Sequence, residues 1–159
     1  MAAINKILVP TDFSDASKHA LEYACMLADT TGAALEVFHT VETPYLTGGY
    51  MELYAAPPDY LERLERAART ELEKSLTPEQ TAKYRVNFVL RLGGPAHEIL
   101  LYLKEHPEID MVVMATHGRG AVARLMMGSV ADKVVRSAAC PVVTIRELDG
   151  WRAQAHRAA

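Results

Sequence analysis

Apolar residues recur along this chain in two alternating rhythms. Short runs at Ile4–Pro10 (INKILVP) and Met111–Ala115 (MVVMA) read as buried strands, and Ala34–Thr40 and Pro141–Ile145 (PVVTI) read as two more strands. Val86, Phe88, Leu90 and Leu92 alternate with mostly polar partners, which predicts a further strand ending at Gly93-Gly94. Between these runs the apolar period lengthens to that of a helix. Ser14 is placed to cap one, with Asp15 in its first turn, Ala20, Ala24, Leu27 and Ala28 as its stripe, and Gly32 as its stop. After Pro57-Pro58 a second helix is expected from Asp59 to Leu76, striped by Leu61, Leu64, Ala68, Leu72 and Leu76. Glu62 with Arg66 and Glu65 with Arg69 would pair on its wet side. Pro95 opens a helix to about Glu105, and the last runs from Ser129 to about Ser137.

Strands and helices thus alternate through the chain. That pattern predicts an α/β fold with a doubly wound, five-stranded parallel sheet of order 3-2-1-4-5 and helices on both faces. One domain is expected over residues 1–146. The tail 147–159 carries Trp151, the one tryptophan of the chain. No internal repeat or low-complexity tract interrupts the pattern.

Composition narrows the function. The 159 residues are half apolar and 23% charged, with a formal net charge of −3. A nucleic-acid binder needs a basic face, so no nucleic-acid partner is expected. No run approaches the ~18 apolar residues of a membrane span, and no charged segment leads into a long apolar stretch at the start. Neither a membrane nor a signal peptide is expected, and a cytoplasmic location follows. Cys25 and Cys140 fit no metal or C-x-x-C spacing and read as reduced, buried thiols.

In an open parallel sheet the ligand crevice lies beyond the carboxyl ends of the strands, where their order reverses. Here the reversal falls between the first and fourth strands. Two loops flank it: Pro10-Thr11-Asp12, and Thr116 to Ser129. Gly118 and Gly128 allow a ligand to approach the backbone closely, and Gly128-Ser129 stands where a helix begins. Free N–H groups and the helix dipole make that position suited to phosphate. The serine also has a purely local reading, because Ser129-x-x-Asp132 resembles a capping box. Asp12 is open to two readings as well. It suits ribose hydroxyls or a phosphate-bound Mg²⁺, and it equally suits capping of nearby amides.

Gly118-Arg119-Gly120-Ala121-Val122-Ala123 fits the dinucleotide pattern G-x-G-x-x-G/A. That fingerprint also requires an acidic residue at the end of the next strand, and here that strand ends in Thr144-Ile145. No G-x-x-x-x-G-K-[ST] is present, so no lysine is supplied to reach phosphates. Catalysis of phosphate transfer is therefore expected to be slow or absent.

These residues resemble the universal stress protein family from Ile4 to Arg146. Ile7-Leu8-Val9-Pro10-Thr11-Asp12-Phe13-Ser14 is similar to its first strand and loop, and Ala139-Cys140-Pro141-Val142-Val143 to its last strand. Gly118, nine further residues and Gly128-Ser129-Val130 resemble most of its ATP motif, G-x2-G-x9-G-[ST], with Ala115 in place of the first glycine. The resemblance implies an adenine-nucleotide alpha-hydrolase-like fold and a stress-response regulatory module that binds ATP, ADP or AMP with Mg²⁺. It implies that Pro10, Thr11 and Asp12 border the adenosine and that Val41 contacts adenine. Met114, Ala115 and His117 would line base and ribose. Gly118, Arg119, Gly128, Ser129 and Val130 would hold the phosphates. A general-base role for His117 lacks an evident orienting partner in the sequence. Ala115 leaves open an alternative of the same fold, a dimeric interaction protein that holds no nucleotide. The β-branched Pro141–Ile145 strand, at a sheet edge in this order, points with the resemblance to a homodimer. The long Glu42–Pro57 connection, with Tyr45, Tyr50 and Tyr54, reads as a lid, a partner surface or a mobile loop.

Overall fold

The computed structural model describes residues 3–42, 59–117 and 127–146. Five parallel strands, β1 (Lys6–Pro10), β2 (Ala34–Val41), β3 (Asn87–Leu92), β4 (Met111–Ala115) and β5 (Val142–Ile145), lie in the order β3-β2-β1-β4-β5. The helices are α1 (Asp15–Thr31), α2 (Tyr60–Glu73), α3 (Pro78–Lys83), α4 (Pro95–Glu105) and α5 (Ser129–Ser137). The expected order and layering are both present.

Period-two alternation assigns each strand residue to one of two cores. Ile7, Val9, Leu35, Val37 and Val113 pack with α1 and with Leu72, Leu76 and Tyr84. Leu8, Phe38, Val112 and Met114 pack with Ile99, Tyr102 and Leu103 of α4 and with Ala131 and Val134 of α5. The central strands are apolar on both faces because both faces are covered. Ser14 caps α1 as expected, its side chain accepting from the Ser17 N–H, and Gly32 ends it in the left-handed conformation at φ 74°.

One helix went unread in the sequence. Thr77-Pro78-Glu79-Gln80 forms a complete capping box with proline in the first turn, and it starts the short α3. Conversely, the stripe assigned to Asp59–Leu76 is only partly core. Within α2 only Leu72 is buried, while Leu64 and Ala68 remain half-exposed. Cys25 is buried and its thiol is pushed up to about 11 by desolvation; Cys140 is also raised, chiefly by desolvation. Neither is therefore a ready thiolate.

The amino-terminal end of the sheet holds a polar network. Glu36, on β2, is only 5% exposed. Its carboxylate accepts from the Tyr102 hydroxyl at 2.7 Å and pairs with Lys6 Nζ at 3.1 Å. Desolvation, helped by the adjacent Glu36 carboxylate, raises the Tyr102 pKa, so the phenol stays a donor. Tyr102→Phe keeps the ring and leaves a buried carboxylate oxygen without that donor. The expected loss is about 1–3 kcal/mol of unfolding free energy in urea titration. An unchanged midpoint would show that Lys6 alone satisfies Glu36.

Candidate functional site

The carboxyl ends of β1, β2 and β4 open into one cavity of ≈ 780 Å³. Pro10, Thr11, Asp12, Val41, Met114, Ala115, His117, Gly128, Ser129 and Val130 all line it. The two loops singled out in the sequence therefore meet at the strand-order reversal. Gly118 and Arg119 lie outside the described residues, as does the Glu42–Pro57 connection beyond Glu42.

The loop after β1 is held by its own hydrogen bonds. Asp12 Oδ1 accepts from the Ser14 N–H at 3.0 Å and from the Ser14 hydroxyl at 2.5 Å. The local capping reading of Asp12 is thus realised for one carboxylate oxygen. The Thr11 hydroxyl is engaged as well. Ser17 Oγ gives its single proton to Ser14 O at 2.8 Å, so in the 3.0 Å contact between Thr11 and Ser17 the threonine is the donor. Phe13 N–H donates back to Thr11 Oγ1 at 3.0 Å. Phe13 itself sits at φ 65°, a left-handed conformation that costs a residue with a side chain about 1–2 kcal/mol.

The opposite wall begins at Thr116. Gly128 N–H donates to Thr116 O at 2.7 Å and joins the two ends of the second loop. Gly128 is the N-cap of α5 at φ −62° and ψ 152°, so its conformation does not demand glycine. Ser129 is the first helical residue, not the cap. Asp132 turns to Arg136 Nε at 2.9 Å and does not reach back across the helix start. The capping-box reading of Ser129-x-x-Asp132 therefore fails. The N–H groups of Ser129, Val130 and Ala131 have no acceptor among the described residues, as expected for a first helical turn. They present a positive helix end to the cavity.

His117 has the orienting partner that its sequence neighbourhood did not announce, since Thr116 Oγ1 lies 2.8 Å from its Nδ1. Its Nε2 is buried and without a partner among the described residues. Among those residues the lining carries no lysine or arginine. The arrangement provides anion-accepting amides at one end and apolar walls, Phe38, Val41, Ile99 and Met114, at the other.

The sequence model of the universal stress protein family matches residues 3–146. The chain belongs to the universal stress protein family. A universal stress protein of Thermus aquaticus is 35% identical over 150 residues, covering 88% of this chain and 97% of that one. UspA of Lactobacillus plantarum is 30% identical over 92% of this chain and 100% of its own, with a TM-score of 0.69. The fold also matches the structure of the protein MJ0577, at 21% identity and a TM-score of 0.78 over 92% of this chain and 99% of that one.

Ala115, which departs from the universal stress protein motif, is the last residue of β4, opposite Ile145. The positive-φ residues with side chains among those described are Phe13 and Arg85. Alanine at 115 therefore carries no backbone strain. Several lining residues escaped the sequence reading. Leu64, Ala67, Ala68 and Glu71, spaced i, i+3, i+4 and i+7, turn one face of α2 to the cavity. His39 and Phe13 also line it, their ring centroids 4.2 Å apart.

Proposed function

We propose that this crevice binds an adenine nucleotide, ATP, ADP or AMP, and that the protein is a nucleotide-responsive stress-response module with slow or no hydrolysis. The observation that carries the reading is the shared cavity. The unclaimed amides of α5, the orphaned His117 Nε2 and an apolar recess beside Val41 and Met114 all open into it. In this reading Pro10, Thr11 and Asp12 border the adenosine, and Val41 packs on the base. Met114, Ala115 and His117 line base and ribose. The backbone of Gly128, Ser129 and Val130 takes the phosphates. Asp12, the carboxylate of the loop after β1, would be the side chain to hold a phosphate-bound Mg²⁺. No group of three metal-ligating side chains gathers among the described residues.

Two solved relatives support the chemistry. One universal stress protein was solved in complex with cAMP, at 19% identity, a TM-score of 0.57, and coverage of 92% of this chain and 99% of that one. The universal stress protein from Archaeoglobus fulgidus, solved in complex with dAMP, has 20% identity and the same TM-score of 0.57, over 91% of this chain and 99% of that one. The unstrained Ala115 gives no reason to prefer the alternative without nucleotide. Slow turnover is expected from the sequence, which has no G-x-x-x-x-G-K-[ST] lysine to draw charge from a leaving phosphate. Calorimetry with ATP, ADP and AMP is expected to give micromolar dissociation constants, about −8 kcal/mol. No heat and no thermal shift with any of the three would overturn the reading.

The module is proposed to act as a cytoplasmic homodimer through the edge strand predicted at Pro141–Ile145. Val112 N–H donates to Pro141 O and Thr116 N–H to Ile145 O, so by alternation Val142 and Thr144 turn their backbone groups to the open edge. Thr144→Pro removes one outward donor and spares the ladder to β4. It is expected to shift the protein to monomers in light scattering. A wild type already monomeric at high micromolar concentration would count against the interface.

A further inference from the structure

We propose that His39 is a positioning residue of the nucleotide site, holding the strained β1 loop in the shape that borders the ligand. This rests on the nucleotide reading of the crevice. His39 lies on β2, one strand away from that loop, and lines the same cavity. Its Nδ1 is 2.7 Å from the Thr11 carbonyl oxygen. A carbonyl only accepts, so Nδ1 carries the proton and donates. The imidazole also packs on the Phe13 ring with centroids 4.2 Å apart.

One side chain therefore grips the loop at two points, on either side of Asp12. The first is the backbone of Thr11. The second is the side chain of Phe13, whose own backbone is held at φ 65°. A left-handed residue with a side chain persists only where its surroundings over-determine it. The hydroxyl chain from Phe13 N through Thr11 and Ser17 to Ser14 ties the loop to α1. His39 supplies a tie to the sheet, together with the Thr11 N–H bond to Phe38 O at 2.8 Å. Without His39 the carbonyl of Thr11 loses that donor and the Phe13 ring loses its contact with the imidazole. The loop then relaxes from the left-handed conformation and its ligand-bordering shape becomes one state among several. Affinity falls because only the competent fraction binds.

The test compares His39→Leu, which fills similar space without a donor, with His39→Asn, whose Nδ2–H reaches where Nδ1–H does. Titration calorimetry with ATP is read beside amide hydrogen exchange of Phe13 and Ser14 in the ligand-free protein. His39→Leu is expected to weaken binding about tenfold or more and to speed exchange at both amides. His39→Asn is expected to restore binding to within about threefold of wild type and to slow exchange again. A general loss of stability would lower both variants together and would not be repaired by asparagine. Wild-type affinity in His39→Leu, or equal losses in both variants, would overturn the positioning role while leaving the nucleotide reading intact. No binding by the wild type would overturn the nucleotide reading and this inference with it.

Discussion

Gly128→Val is expected to weaken nucleotide binding about a hundredfold or more, and Ser129→Ala only about fivefold. The difference lies in what each side chain does at the start of α5. The phosphate-accepting groups in our reading are the backbone amides of the first helical turn, which have no acceptor among the described residues. Several charge-assisted bonds form there together, each worth about 1.5–3 kcal/mol. A branched side chain at the N-cap stands in the way of the approaching anion and removes them as a set. Ser129→Ala removes a single hydroxyl and leaves every amide in place. Valine at 128 is also compatible with φ −62° and ψ 152°, so the fold should persist and binding alone should fail. Calorimetry beside thermal unfolding separates the two effects. Undiminished affinity in Gly128→Val would place the phosphates elsewhere in the cavity.

The second large effect concerns stability. Gly93→Ala is expected to cost about 1–3 kcal/mol, while Gly94→Ala next to it should change stability by less than about 1 kcal/mol. Gly93 sits at φ 142°, where a side chain is strained whatever the surrounding space. A Cβ there would also lie 2.6 Å from Glu98 Oε1, so the glutamate must swing away. Gly94, the N-cap of α4, has φ −77° and ψ 128°, and nothing lies within 4 Å of its added Cβ. Because Gly93 N–H also donates to Val41 O at 3.0 Å, the alanine should disturb a lining residue and weaken the ligand too. Urea unfolding of the two variants side by side is the measurement. Equal midpoints would mean that the backbone at 93 relaxes without penalty.

The contrast between these adjacent glycines shows where sequence reasoning stops. Gly93-Gly94 reads correctly as the end of a strand and the start of a helix, but nothing in the letters says which of the two needs a left-handed backbone. β1 and β4 were legible because strands buried on both faces need near-continuous apolar runs, and β3 because its apolar residues alternate up to Gly93-Gly94. The meeting of Pro10–Asp12 with the Thr116–Ser129 loop followed from strand order alone. The face of α2 was not legible as a cavity wall. Periodicity identifies an apolar face but not what covers it, so Leu64 and Ala68 read as core when they line the crevice. At α5 the serine and aspartate pointed to a cap one residue too late, because a glycine N-cap has no side chain to advertise itself. His39 gave no local signal, since its two partners are distant in sequence and adjacent only across the sheet.

The bond from Gly128 N–H to Thr116 O has a consequence for engineering. It ties Thr116 to Gly128, on either side of residues 118–127, with β4 anchoring one end and α5 the other. A segment leaving and returning through a fixed stem can be exchanged as a cassette. Its ends are already brought together by the rest of the fold, and doubling its length adds only about 0.6 kcal/mol of closure entropy. New recognition segments grafted between His117 and Gly128 would start and end beside the crevice without asking the sheet to move.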